Sequence, residues 1–277
     1  MIHYTFQREA ARGRLIRGDV RMAEGPPPHS AVLVLHGFKG FKDWGFFPRV
    51  SERLAAAGHA VVTFSFTGSG VTGQGEVTDL DAFASNTFTR ELEEVALVAG
   101  LVRDGALLPR KPRRIGMLGH SRGGADAILH SAVHEVDALV TWAAISSFER
   151  WTDQTRVEWR EQGRVLVLNT RTGRQLPLDV ALLDDFEQNR ERLDVARHAA
   201  RVRAPWLIVH GLEDLTVGVD EARLLASAQP HAHLLLIEGA GHTFEVSHPL
   251  GERTSPQLDE AIVGTVRHFE RHLLRPS

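Results

Sequence analysis

The sequence predicts an α/β fold, a mostly parallel central sheet with helices on both faces. Three observations carry this expectation. Short continuous apolar runs such as Ala31–Leu35 and Ala60–Phe66 suit strands buried on both faces. Other stretches space their apolar residues for one helix face, as Leu92, Val95, Ala96, Ala99 and Val102 do. The two kinds alternate along most of the chain, the order that parallel strands with crossover helices need. With 277 residues, 43% of them hydrophobic, the chain can bury one large core, and residues 1–277 read as a single domain.

In chain order, His3–Arg8 and Arg14–Met22 alternate loosely and read as two antiparallel strands. Glu24–Pro28 is a turn, rich in Gly and Pro. Ala31–Leu35 is the first core strand. Phe47–Ala57 reads as a helix stopped by Gly58, and Ala60–Phe66 as the next strand, followed by a Gly-rich loop from Thr67 to Gly75. The helix around Leu92–Val102 leads to the strand Ile115–Leu118, then to a helix over Ala125–Val133 and an apolar run, Ala138–Ala144. Trp206–Val209 and Leu234–Ile237 are two further strands. Leu258, Ile262, Val266, Phe269 and Leu273 define a final amphipathic helix.

Residues 146–203 interrupt the alternation. Trp151, Thr155 and Trp159 lie four apart, on one side of a helix, and Val165–Leu168, Asn169–Gly173 and Gln175–Leu178 read as a hairpin around a Gly-containing loop. The segment is expected to cap the carboxyl edge of the sheet without forming a domain of its own.

Bulk properties narrow the function. A net charge of −3 argues against a general nucleic-acid binder. The absence of cysteine excludes disulfides, thiolate metal sites and a cysteine nucleophile. No apolar run approaches membrane-spanning length and Met1–Phe6 lacks a secretory pattern, so a cytoplasmic protein is the default expectation. A homodimer is compatible with the sequence but not required by it.

The chemistry-bearing stretch is Gly119-His120-Ser121-Arg122-Gly123-Gly124, between a strand and a helix. G-x-S-x-G in that setting presents a serine on a sharp, strained turn, where side chains two positions away would collide. A serine hydroxyl needs a base within hydrogen-bond reach, and the base needs an orienting partner. In open sheets such groups gather beyond the carboxyl ends of strands. Two loops there offer them: His210-Gly211-Leu212-Glu213-Asp214 and Glu238-Gly239-Ala240-Gly241-His242. Glu213 competes with Asp214, and His248 with His242.

In the order Ser121, Asp214, His242 the chain resembles the α/β-hydrolase superfamily, whose triad runs nucleophile, acid, histidine. His36-Gly37-Phe38, the hairpin-bearing insertion, His210-Gly211-x-x-Asp214 and Gly241-His242 extend the resemblance toward small bacterial dienelactone-hydrolase-like and cinnamoyl-esterase-like serine esterases. True dienelactone hydrolases use cysteine, so their substrate is not carried over. The resemblance implies a serine carboxylic-ester hydrolase acting on a small-molecule ester, without metal or organic cofactor. It implies Ser121 as nucleophile, His242 as base, Asp214 as orienting acid, and the backbone N–H groups of Phe38 and Arg122 as the oxyanion hole. Thioesterase, acyltransferase and peptidase chemistry could run on the same triad, and a receptor could keep the fold without turnover.

His36 and His120 are expected to support loops, and Asp126 to be structural. Asp184 and Asp185 are expected on a solvated surface. Lys39 and Arg122 would add positive potential near a substrate carboxylate, unless Arg122 pairs with a surface acid. An aromatic pocket could draw on Trp44, Trp151 and Trp159, with Phe47 in the core.

Overall fold

The computed structural model describes residues 1–73, 75–251 and 254–274, so Gln74 of the Gly-rich loop lies outside the described residues. Ile2–Glu9 (β1) and Leu15–Met22 (β2) pair antiparallel, Phe6 opposite Gly18. Ser30–Leu35 (β3) is followed by the helix Phe47–Ala56 (α1) and by Ala60–Ser65 (β4). Leu80–Ala84 (α2) and Phe88–Arg103 (α3) lead to Arg114–His120 (β5), Arg122–Val133 (α4) and Ala138–Trp142 (β6). The insertion contributes Asp153–Gln162 (α5), Arg164–Asn169 (β7), Arg174–Asp179 (β8), Ala181–Gln188 (α6) and Val195–Ala199 (α7). Trp206–Gly211 (β9), Val219–Ala228 (α8), His233–Ile237 (β10) and Pro256–Phe269 (α9) complete the order.

Eight strands form one sheet in the order β1-β2-β4-β3-β5-β6-β9-β10. Only the β1–β2 and β2–β4 pairings are antiparallel; β4, β3, β5, β6, β9 and β10 run parallel. The continuous apolar runs have the meaning assigned to them. Along β3, Ala31, Leu33 and Leu35 face one core with residues of α3, α4, α7 and α8, while Val32 and Val34 face another with α1 and α9. Each buried Leu or Val of such a strand stabilises the fold by about 1.5–3 kcal/mol.

The run Ala138–Ala144 is a strand only to Trp142, because Ala143 takes a left-handed backbone (φ 46°) that turns the chain out of the sheet. The insertion leaves the sheet after β6 and returns in β9, its direct neighbour (Leu139 opposite Trp206). Its hairpin is present, with Val165 opposite Leu178 and Gly173 (φ 68°) in the turn. Two further helices, α6 and α7, were not expected. α6 buries Leu182, Leu183 and Phe186 and α7 buries Val195 and Ala199, in stretches too short and charged for periodicity to declare them. Trp151 precedes α5 rather than lying on it, because Thr152 caps the helix by accepting from the Thr155 N–H (3.1 Å).

Asp185 does not lie on a solvated surface. It is part-buried, and its carboxylate accepts from the Thr89 N–H (3.0 Å) and from the Thr89 hydroxyl, tying α6 to the first turn of α3. Asp184 is half-buried, its side chain 41% exposed and 3.0 Å from Arg160.

Candidate active site

β5 ends at His120, and Ser121 turns the chain into α4 with φ 57° and ψ −120°, a strained conformation for a residue with a side chain. The glycines around it have no room for a Cβ. One on Gly119 would lie 2.2 Å from the Gly123 carbonyl oxygen, and one on Gly123 2.4 Å from that of His36. One on Gly37 would lie 2.9 Å from Ser121 Cβ and 3.3 Å from the Arg122 nitrogen, so the loop after β3 rests directly on the serine turn. That loop is a β-turn closed by the Gly40 N–H on the Gly37 carbonyl (3.0 Å), with Phe38 and Lys39 at its centre. Lys39 occupies the left-handed position (φ 60°) that such turns usually give to glycine. Arg122 is the first residue of α4, and its N–H has no acceptor within the helix.

Three of the candidate side chains meet. Ser121 Oγ lies 3.1 Å from His242 Nε2, and His242 Nδ1 lies 2.7 Å from Asp214 Oδ2. They come from the ends of β5, β9 and β10. Asp214 is buried and its other oxygen accepts the N–H groups of Thr216 and Val217, both at 2.8 Å. Burial opposes its ionisation, but the bond from His242 and those two N–H groups hold its carboxyl below the usual range. Adjacent Glu213 is exposed and takes no part. His248 is engaged elsewhere: its Nδ1 accepts the Gly45 N–H (3.0 Å) and its ring packs against Phe41 and Trp44.

Two histidines brace the arrangement. His36 Nε2 accepts the Phe66 N–H (3.0 Å), so its proton sits on Nδ1 and is donated to the Gly37 carbonyl (2.9 Å). Burial lowers its pKa to about 4, and the ring stays neutral. His120 Nε2 donates to the His242 carbonyl (2.9 Å); burial, then His242, lowers its pKa to about 3. A third, His210, was not singled out in the sequence. Its Nε2 donates to the Val217 carbonyl (2.8 Å), and burial keeps it neutral, so its 3.5 Å approach to Asp214 is not an ion pair.

Ser121 and His242 open into a cavity of about 750 Å³. Phe38, Lys39, Arg122, Trp44, Trp151 and Trp159 all line it, as does Phe47, which is also in the core. Trp151 and Trp159 meet edge to face (5.6 Å between ring centroids), and the Trp159 indole N–H donates to the Leu178 carbonyl (2.9 Å). Phe88, Phe148 and Arg171 line the cavity too, without a signal in the sequence. Phe88 opens α3 and Arg171 sits in the hairpin turn, positions where periodicity carries no signal.

Arg122 lies over the Phe38 ring (4.1 Å) and the Phe88 ring (5.0 Å) and reaches Glu91 at 3.4 Å. Its acid partner is therefore buried, not on the surface as the pairing alternative supposed. Burial raises the Glu91 pKa against the pull of Arg122. Behind it Asp126 is fully buried, with neither oxygen hydrogen-bonded, and burial holds its pKa well above the usual value. Among the described residues no group of three or more His, Cys, Asp or Glu is placed to hold a metal ion.

The sequence matches the alpha/beta hydrolase family over residues 32–252, most of its 277 residues. The chain belongs to that family. One relative of this alpha/beta hydrolase is 2,6-dihydropseudooxynicotine hydrolase of Paenarthrobacter nicotinovorans, 27% identical over 249 residues. The match covers 87% of this chain but 59% of the relative's length. Among solved structures, Est1E of Butyrivibrio proteoclasticus with ferulic acid bound superposes with a TM-score of 0.75 at 18% identity, covering 98% of this chain and 100% of that one. The esterase domain of a Rhodothermus marinus protein gives 0.66 at 21% identity, over 99% of this chain and 100% of that one. At such identities these two likenesses concern the fold. No helix among the described residues of this alpha/beta hydrolase is long and apolar enough to cross a membrane.

Proposed function

We propose that this chain is a serine hydrolase that cleaves carboxylic esters through an acyl-enzyme. The observation that carries the reading is the hydrogen-bonded series Ser121 Oγ, His242 and Asp214, with spacings of 3.1 and 2.7 Å, at the floor of an aromatic cavity. Ser121 Oγ attacks the ester carbonyl carbon while its proton passes to His242 Nε2. The carbonyl π pair moves onto oxygen, where the N–H groups of Phe38 and Arg122 receive it, helped by the positive end of α4. Collapse expels the alcohol, which takes the proton from His242, and leaves the acyl group on Ser121. Water then adds with His242 as base, and a second collapse frees the acid and restores the serine. Asp214 holds the Nδ1–H tautomer and stabilises the imidazolium.

Lys39, Trp44, Trp151 and Trp159 are proposed to contact the acyl or alcohol portion. Est1E binds ferulic acid, and the aromatic wall favours aryl acyl groups here as well. Thioesters and amides can react by the same steps, so a panel of aryl esters, thioesters and amides defines the preferred leaving group. A fluorophosphonate probe is expected to label the wild-type protein and to miss Ser121→Ala; equal labelling of both would sink the assignment. Release of nitrophenol from 4-nitrophenyl butyrate is expected to fall by at least about 10³-fold in His242→Ala.

A further inference from the structure

The charges on the cavity wall have one sign. Lys39, Arg122, Arg150 and Arg171 line it, and no aspartate or glutamate does among the described residues. The chain as a whole carries −3, so this sign does not follow from composition. The four cations differ in what holds them. Arg150 is neutralised by Glu221 at 2.7 Å. Arg122 has Glu91, whose carboxyl burial biases toward the protonated form. Lys39 and Arg171 have no carboxylate partner among the described residues. Lys39 Nζ donates to the Leu168 carbonyl (2.7 Å), and Arg171 Nη2 to the Gly75 carbonyl (3.0 Å).

Leu168 lies near the end of β7 and Arg171 in the turn that follows it, so Lys39, reaching over from the loop after β3, and Arg171 both stand at the tip of β7–β8. Burial and the neighbouring Arg122 lower the Lys39 pKa, the response of an ammonium group that lacks a counter-ion. The rest of the wall is uncharged apart from the histidines, with Trp44, Phe88, Phe148, Trp151 and Trp159 supplying most of its apolar surface between threonine hydroxyls such as those of Thr152 and Thr155.

From this distribution we infer that the cavity takes esters bearing a second, free carboxylate, which docks between Lys39 and Arg171 at the hairpin tip while the ester lies at Ser121. The inference rests on the ester-hydrolase reading for the reacting end and on the wall charges for the other. A carboxylate there replaces two carbonyl acceptors with an anion and offsets the partly desolvated Lys39 ammonium and the exposed Arg171 guanidinium, whereas a cationic substrate meets only like charge. A dicarboxylic monoester or an aryl ester with a remote carboxylate has this form.

The test compares mono-4-nitrophenyl glutarate with 4-nitrophenyl 5-methylhexanoate, in which an uncharged isopropyl group replaces the carboxylate. In the wild type kcat/KM is expected to favour the glutarate by about ten- to hundredfold, the span for a charge-assisted bond in a partly dry site, and to do so less as salt rises. In Lys39→Gln/Arg171→Gln the ratio should fall toward one. A wild-type ratio of one or less, or a ratio retained in the double variant, overturns the inference and leaves the esterase reading intact if the neutral ester is turned over.

If neither ester is cleaved, the esterase reading fails and binding decides the inference. Ser121→Ala is titrated with 3-phenylpropionate and with 3-phenylpropionamide, followed by tryptophan fluorescence. Carboxylate binding about tenfold tighter or more, lost when Lys39 and Arg171 are also changed to Gln, supports the site. Equal affinity for acid and amide refutes it. Should the double substitution not fold, Arg171→Gln alone, which removes a side-chain bond to one loop carbonyl, reads the same ratio.

Discussion

Glu213 and Asp214 are neighbours of the same chemistry, yet one is exposed and the other sits buried beneath His242 with three donors on its carboxylate. Asp214→Asn should lower kcat by about 10²–10⁴-fold, because an amide presents His242 with the wrong tautomer, whereas Glu213→Gln should change it by less than about twofold. Asp126 supplies a different residue-scale prediction. Its pKa is raised in the folded protein, so the folded state holds a proton that the unfolded chain gives up near pH 4. The stability it contributes is present below that pH and is lost as pH rises. Asp126→Asn has no such titration, so its unfolding free energy from urea titration should gain on the wild type with increasing pH, by up to about 1.4 kcal/mol per pH unit. A difference constant from pH 5 to 8 would mean that the carboxyl does not titrate this way.

Among the elements, the turn from β5 into α4 is the least tolerant. Gly123→Ala sets a Cβ against the backbone oxygens of Leu35 and His36, so β3 and α4 must separate. A loss of about 2–4 kcal/mol in a denaturant titration, with activity reduced beyond tenfold, is expected. Gly100 is the contrast: it lies within α3 with nothing near an added Cβ, and Gly100→Ala should stabilise by about 0.5–1 kcal/mol. Asp185 joins the insertion to α3 through Thr89, and Asp185→Ala should cost about 1–2 kcal/mol.

Over the whole molecule, burial sets the pH response. His36, His59 and His268 are pushed down to about 4, and His120 and His130 to about 3. A histidine with a depressed folded pKa contributes stability above its unfolded value near 6.5 and loses it as pH falls toward the folded value. Glu94, raised to about 7 by burial, opposes them between pH 7 and 4.5, as Asp126 does. His210 and His248 are also lowered and Glu91 is also raised, so seven histidines stand against three carboxyls and the Tm by calorimetry should fall from pH 7 to pH 5; a rise over that interval would contradict this balance.

The sequence by itself determined the alternation of strands and helices, the place of the serine turn, and which loops carry Asp214 and His242. Local rules govern these features: a strand buried on both faces must be apolar throughout, and a strained turn must be flanked by residues without side chains. Tertiary structure alone decided that Glu213 faces solvent while Asp214 is buried, that His248 is occupied by Gly45, and that Arg122 meets the buried Glu91. It also decided that Arg171, in a hairpin turn, shares the cavity wall with Lys39, some 130 residues away in sequence. Such pairings depend on how the insertion folds over the carboxyl edge of the sheet, and distances across that fold are not encoded in the period or spacing of any single segment.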